Sequence, residues 1–323
     1  MIPRLELKEF RFSIQAAEPV SLPEFFGSAL RGAFGRAFRR RVCIFRDAPC
    51  DACLLRRTCA YSYIFETPLG PEPEVTGHGG SYAPHPFVLC PPWDSPAELR
   101  AGDRLDFHFV LIGRALAYLP YFIVAVEEMG RRGLGPGRGR FRLDEVLEVR
   151  PARSRPVYVE GRMSGSAESH PLIWTPEHNP HPDPGELVVQ FVTPLRLQSN
   201  GRLVVDDFDF GVFFRALVRR IKLLAHYHCG ADEPWDIRPV LDLARAVRTL
   251  ETDCRVTGWL RWSGRQHRDV RLSGLTGFLR IGGELKPVLP FLEIGQIIHA
   301  GKATAFGFGR YQLNPDFTEG IDA

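Results

Sequence analysis

"PVLPFLEIGQIIHAGKATAFGFGRYQL", residues 287–313, decides the fold. Its first part, "PVLPFLEIGQIIHAG", reads as a helix, its middle holds Gly301, Gly307 and Gly309, and "FGRYQL" closes it as a strand. The first half of the chain ends in the same order. "ALAYLPYFIVAVEEMG" (115–130) reads as a helix, "RRGLGPGRGR" (131–140) as a glycine loop and "FRLDEVLEVR" (141–150) as a strand. Helix–loop–strand endings are common, so the weight lies in their place in the order of elements.

Upstream of the first ending, "LELKEFRFSIQ" (5–15) partly alternates and reads as a strand. "SLPEFFGSALRGAFGRAFRR" (21–40) reads as a helix, with Ser21 as N-cap, Pro23 in the first turn and Phe26, Leu30, Phe34 and Phe38 as an apolar stripe. "HPFVLCPP" (85–92) and "RLDFHFVLIG" (104–113) are strand-like. The order β-α-β-β-α-β is that of a ferredoxin-like unit. The second half repeats it. "ELVVQFVTPLRLQ" (186–198) is a strand, and "DFDFGVFFRALVRRIKLLAHYH" (207–228) a helix with Phe213, Leu217 and Ile221 on one face. "PVLDLARAVRTLE" (239–251) reads as an extra helix, and "CRVTGWLRWSG" (254–264) and "VRLSGLTGFLRIGG" (270–283) as a strand pair. The expected fold is α+β, with tandem ferredoxin-like (RRM-like) domains and a cysteine-rich metal-binding insertion. The expected bounds are 1–155 for the first domain, with the insertion at 43–59; 156–185 for a linker or excursion rich in Pro, Ser, His and Gly; and 186–323 for the second domain, with its glycine-rich loop at 301–309.

The chain has 323 residues, 44% of them hydrophobic, which is enough for a core in each of two domains. The formal net charge is only +3, so bulk charge announces no polyanion partner. The basic residues are nonetheless lopsided: of 41, only Lys8, Lys222, Lys286 and Lys302 are lysines. Arginine forks onto phosphate and stacks on bases. Genomic base composition would give the same bias, and the two explanations stay open. The start of the chain is charged rather than apolar, and the longest apolar run, "LAYLPYFIVAV" (116–126), is too short to span a bilayer. A cytoplasmic protein with no membrane partner is expected.

The glycine loop fits no nucleotide cradle. In a Walker A loop the lysine follows the last glycine and a helix comes next; here Lys302 follows the first glycine and a strand comes next. A Rossmann fingerprint runs from strand to helix, the reverse of this order. The companion motifs of a kinase are missing. What remains is a loop that brings Lys302, Phe306, Phe308, Arg310 and Tyr311 to a sheet edge, a composition suited to single-stranded nucleic acid. A tight connection with its phenylalanines in the core is the equal alternative.

"CIFRDAPCDACLLRRTC" places Cys43, Cys50, Cys53 and Cys59 as C-x6-C-x2-C-x5-C, leaving only Cys90, Cys229 and Cys254 elsewhere. Four thiolates so spaced suit tetrahedral zinc, and an iron–sulfur cluster would use the same ligands. The role expected is structural, with no disulfide framework. Residues 31–57 carry eight Arg against Asp47 and Asp51, and residues 131–155 eight Arg against three acids. Either patch is a solvated face or part of an RNA track.

"GKATAFGFGRY" after "PFLEIGQIIHA" closely resembles the C-terminal glycine-rich signature of the RAMP (repeat-associated mysterious protein) superfamily, specifically the CRISPR repeat-processing endoribonucleases. "LRWSGRQHRDVRLSGLTGFLRIGGEL" (260–285) resembles their strand pair, and "LRGAFGRAFRR", the spaced cysteines, "IFETP" and "HPFVLCPP" resemble the first domain of one subgroup. The resemblance implies tandem ferredoxin-like domains. It also implies binding of CRISPR repeat RNA and one cut in the precursor by attack of the 2′-hydroxyl, without metal, leaving a 2′,3′-cyclic phosphate. CRISPR RNA and subunits of a CRISPR effector complex are the implied partners. RNA contacts are expected from Arg31, Arg36, Arg39, Arg40, Arg265, Gln266, Arg268, Gly301, Lys302, Gly307, Gly309 and Arg310.

Many members place a catalytic histidine at or just after the first helix, whereas this chain has no histidine in residues 1–77. The catalytic candidates are therefore His78, His85, Tyr82 and Lys302, with Tyr61 and Tyr63 as further options and His299, His226 and His228 behind them. The same gap motivates the alternative, a RAMP subunit that holds processed guide RNA and does not cut. A third reading, a zinc-stabilised nucleic-acid adaptor of unrelated function, is disfavoured by tandem ferredoxin-like domains.

Overall fold

The structure is a computed structural model and describes residues 3–45, 49–67, 83–150, 153–164, 170–176, 182–199, 201–231, 235–263 and 268–314. The chain divides into two compact units. Leu5–Ile173 with Tyr227–Gly230 form the N-terminal unit; Trp174–His226 and the chain from Ala231 onward belong to the C-terminal one.

The N-terminal unit is built on β1 (Leu5–Ala16), β2 (Val20–Ser21), α1 (Phe26–Val42), β3 (Phe87–Cys90), β4 (Glu98–Leu99), β5 (Arg104–Ile112), α2 (Leu119–Arg132), β6 (Phe141–Val149), β7 (Arg155–Val159), β8 (Arg162–Met163) and β9 (Leu172–Trp174). Its main sheet runs β3-β5-β1-β6-β7-β8, and β5 and β6 flank β1 antiparallel. The four strands β3, β5, β1 and β6 give the ferredoxin-like order, the last strand lying beside the first. Phenylalanines hold helices to sheet: Phe34 of α1 lies 4.8 Å from Phe109 of β5 and 5.0 Å from Phe122 of α2. Such ring pairs contribute about 0.5–1.5 kcal/mol each beyond the area they bury.

The C-terminal unit repeats the plan with β10 (Glu186–Leu195), β11 (Gln198–Ser199), β12 (Arg202–Leu203), α3 (Phe210–His228), α4 (Arg238–Leu243), β13 (Val247–Ser263), β14 (Arg268–Gly283), α5 (Leu289–Ile298) and β15 (Tyr311–Asn314). Its sheet order is β13-β14-β10-β15, the same permutation as in the first unit. Asp209 caps α3, its carboxylate accepting the Val212 N–H at 2.8 Å. α5 packs so closely on β15 that a Cβ on Gly295 would overlap the Tyr311 hydroxyl. That hydroxyl donates to the Leu292 carbonyl at 2.6 Å. The paired β13 and β14 outrun the sheet. β14 pairs with β10 only from Leu275 to Gly282, and its residues Arg268–Gly274 pair with β13 alone.

Three local expectations change. Ser21 does not cap α1; it pairs in β2, and the helix begins at Phe26. The helix expected over 239–251 stops at Leu243, and Val247 opens β13, because β-branched Val247 and Thr249 pair with Gly283 and Ile281 of β14. The stretch 156–185 carries strands: β7 and β8 extend the first sheet and β9 pairs with β1. Among the described residues, no helix is long and apolar enough to cross a membrane.

Candidate nucleic-acid interface

The glycine loop follows α5 with a run of left-handed backbone. His299 has φ 60° and ψ 163°, a region that side chains avoid, and Gly301, Ala303, Gly307 and Gly309 have φ 74°, 65°, 93° and 76°. An ordered frame holds these turns. The Lys302 N–H donates to the Arg196 carbonyl at 2.8 Å, Gly309 N–H to Pro194 at 2.9 Å, and Ala300 N–H to Gly309 at 2.9 Å. Phe308 is fully buried, and its carbonyl accepts from Nδ1 of His299 at 3.0 Å. Gly307 and Gly309 are buried, and their N–H groups bond within the unit. They form the turns that carry the loop between Lys302 and Arg310, both of which are exposed. Gly301 is half-buried, at a spot where a Cβ would press on the Arg196 carbonyl at 2.6 Å.

Lys302 is exposed and donates to Oε1 of Gln198 at 3.0 Å, and Arg310 is exposed beside it in sequence. Arg196, paired with Lys302 in an isolated bridge, donates to the Ser273 carbonyl at 2.6 Å and ties the loop to β14. Trp259 of β13 meets Phe308 edge-on at 6.3 Å. The loop and the base of the β13–β14 arm therefore form one surface. Arg255, Arg268 and Arg271 lie exposed along that arm; Arg265 and Gln266 lie outside the described residues.

Burial holds His299 down to about 3, opposed by its bond to Phe308 and reinforced by the charges of Arg220 and Arg310. It is neutral at every physiological pH. Arg220 is buried too, lowered to about 10 by burial, and its Nε donates to the Ile298 carbonyl at 3.1 Å, capping α5. Both are internal supports of the loop.

The other catalytic candidates fall in the N-terminal half of the sequence. His78 and Tyr82 lie outside the described residues. His85 is half-buried and stacks on Phe87 at 5.7 Å. Tyr63 and His228 meet at 3.2 Å, hydroxyl to Nδ1, while Nε2 of His228 donates to the Pro84 carbonyl at 2.8 Å. Arg114 lies 4.6 Å over the Tyr63 ring. Burial, opposed by Arg114, pushes Tyr63 up to about 12, so it does not deprotonate near neutral pH. His228 stands two residues from His226, a spacing that puts them on different helix faces. Its partners are 165 and 144 residues away, and no local pattern signals them.

On α1, Arg31 lies 4.5 Å over Phe65 and Arg39 5.8 Å over Tyr61, while Arg36 and Arg40 are exposed. Cys43, Cys50, Cys53 and Cys59 are all half-buried free thiols. Cys50 is raised by burial, opposed by Arg39, and feels both Cys43 and Cys59. Among the described residues, no three metal-binding side chains stand close enough to form a ready-made site.

Residues 5–172, more than half the chain, match the AF_1859_N family, described as an N-terminal domain. Residues 189–311 match the family of the CRISPR-associated endoribonuclease Cas6, a span that takes in β13, β14 and the glycine loop. No curated protein matches the chain. Among solved structures, a Thermus thermophilus Cas6 product complex matches with TM-score 0.53 at 14% identity, over 96% of this chain and 99% of that one. A partial Cas6-RT-Cas1–Cas2 complex matches with TM-score 0.58 at 12% identity, over 99% of this chain and 48% of that one. At such identities the likeness is one of fold. With an AF_1859_N domain for its first half and a Cas6 domain for its second, the chain belongs to the CRISPR repeat-processing endoribonucleases of the RAMP type.

Proposed function

We propose that this protein binds CRISPR repeat RNA and cuts the precursor once without a metal. The 2′-oxygen attacks the adjacent phosphorus and gives up its proton to a base. The bond to the 5′-oxygen breaks, and an acid protonates that leaving oxygen. A 2′,3′-cyclic phosphate and a 5′-hydroxyl result. The observation that carries the reading is the glycine loop, which raises Lys302 and Arg310 beside the basic β13–β14 arm inside the Cas6-matching span. Lys302 and Arg310 meet phosphate, and Lys302 is placed to offset charge on the phosphorane. His78, His85 and Tyr82 are the proposed source of proton transfer. Incubation with cognate repeat RNA in EDTA tests this. One cut with a cyclic phosphate end is expected; absence of repeat-RNA binding at moderate salt sinks the reading.

The burial of His299 and His228 favours a second reading, in which the protein holds processed guide RNA in a CRISPR effector complex without cutting. Binding without cleavage, unchanged on joint replacement of His78, His85 and Lys302, would support it.

We further propose that Cys43, Cys50, Cys53 and Cys59 hold one structural zinc, pinning a segment that leaves Ile44 and Leu54 75% and 95% exposed. The C-x6-C-x2-C-x5-C spacing, four thiols between Cys43 and Cys59, supports it. One zinc per chain by elemental analysis is expected, lost in C50S. An iron–sulfur cluster would show instead as iron and visible absorbance.

A further inference from the structure

The last turns of α1 and α2 converge on one buried carboxylate. Glu128 is 7% exposed and stands within reach of four guanidinium groups. Its Oε1 faces Nε of Arg132 at 3.0 Å and Nε of Arg40 at 4.0 Å; its Oε2 faces Nη2 of Arg41 at 2.6 Å and Nη1 of Arg131 at 3.5 Å. Burial alone would raise Glu128, but the bond from Arg132 and the charges of Arg41, Arg132 and Arg131 hold it below the usual carboxylate range. Glu127 faces Arg131 at 3.3 Å and also accepts from the Tyr158 hydroxyl at 2.6 Å. Four cations thus stand against two carboxylates. The four side chains are 40–58% exposed, so their outer edges face solvent.

Helix dipoles explain why a basic residue sits at each C-terminus. They do not explain four in one fan anchored to a carboxylate whose two oxygens are both occupied. Such anchoring fixes guanidinium planes in advance, and fixed planes are what forked recognition of phosphate requires. We propose that Arg40, Arg41, Arg131 and Arg132 form a phosphate-docking patch for the sugar–phosphate backbone of the bound RNA, with Glu128 as its positioning residue. The proposal rests on the RNA-binding reading above and adds a contact site to it. An acidic protein partner is the competing occupant. RNA is favoured because planar, charge-rich guanidinium forks match phosphate oxygens on a regular backbone.

The test is titration of the full-length protein with cognate repeat RNA over a salt series. R41Q/R132Q is expected to weaken binding about tenfold and to flatten the slope of log affinity against log salt by about one to two, as loss of one or two phosphate contacts requires. R41K/R132K keeps the charge count and loses the fork; its slope is expected to return while affinity recovers only in part. R40Q/R131Q removes the two longest contacts to Glu128 and so disturbs folding least; it must flatten the slope as well, with melting curves showing that both double variants are folded. Unchanged affinity and slope in folded variants, with wild type binding normally, overturns the patch and leaves the RNA reading standing. Unchanged RNA binding with loss of an acidic protein partner also overturns it. Wild type that does not bind repeat RNA overturns both.

Discussion

The Tyr63 hydroxyl donates to Nδ1 of His228 at 3.2 Å, and the opposite nitrogen of that ring donates to the Pro84 carbonyl. The second bond fixes the proton on Nε2, which makes Nδ1 the acceptor. His228 is 1% exposed, and a Cβ on Gly113 would collide with its carbonyl oxygen. Y63F leaves a buried acceptor unsatisfied. It is expected to destabilise the fold by about 1–3 kcal/mol in chemical denaturation.

His299 gives a pH signature. Its folded value is about 3, against the ordinary 6.5. Between those limits the unfolded chain binds the extra proton, so stability falls as pH drops from 6.5 toward 3 and is flat above that window. The contribution is about 1.4 kcal/mol per pH unit. H299N keeps an amide donor for the Phe308 carbonyl and does not titrate. Denaturation at several acidic pH values should show a shallower slope for H299N than for wild type; equal slopes would refute the buried-neutral assignment.

Gly295 and Tyr311 should behave as a coupled pair. G295A forces a methyl against the Tyr311 hydroxyl and the Leu217 side chain, at an expected cost of about 1–3 kcal/mol. Y311F alone loses its bond to Leu292, worth about 1 kcal/mol. In the double variant the removed hydroxyl makes room for the methyl, so the combined loss should be smaller than the sum. Strict additivity in a denaturation cycle would count against the close packing of α5 on β15.

Loop charge and loop shape should also separate. K302A removes an exposed ammonium that donates to Gln198, so melting is expected to be unchanged and RNA affinity to drop, with a salt slope smaller by about one. G301A places a side chain at φ 74° against the Arg196 carbonyl and should cost about 1–2 kcal/mol of stability. A K302A protein with wild-type affinity would remove Lys302 from the RNA contacts.

The sequence was informative where one residue type repeats at one period. Phe26, Leu30, Phe34 and Phe38 mark α1, and the helix–glycine–strand order at 287–313 marks where the second unit closes. It was silent where strength comes from partners far away in the chain. Val247–Glu251 mixes helix-favouring Arg248, Leu250 and Glu251 with β-branched Val247 and Thr249, and pairing with β14 makes it strand. Half of the Glu128 cluster is visible as i,i+3 and i,i+4 spacing to Arg131 and Arg132; the α1 half appears only when two helix ends meet. The loop glycines stood out as a run, but their spacing does not tell buried turn-formers from exposed contacts.

β13 has a further consequence through its open side. It is the outermost strand of its sheet and runs for 17 residues, with Leu250, Val256 and Leu260 among its exposed side chains. A long uncovered edge invites a second copy to pair with it and build mixed aggregates. Arg248, Glu251, Asp253 and Arg255 interrupt it with charge of both signs. Charged side chains along an edge strand disfavour its pairing with a second copy, so these residues suit a gatekeeper role as well as a nucleic-acid surface.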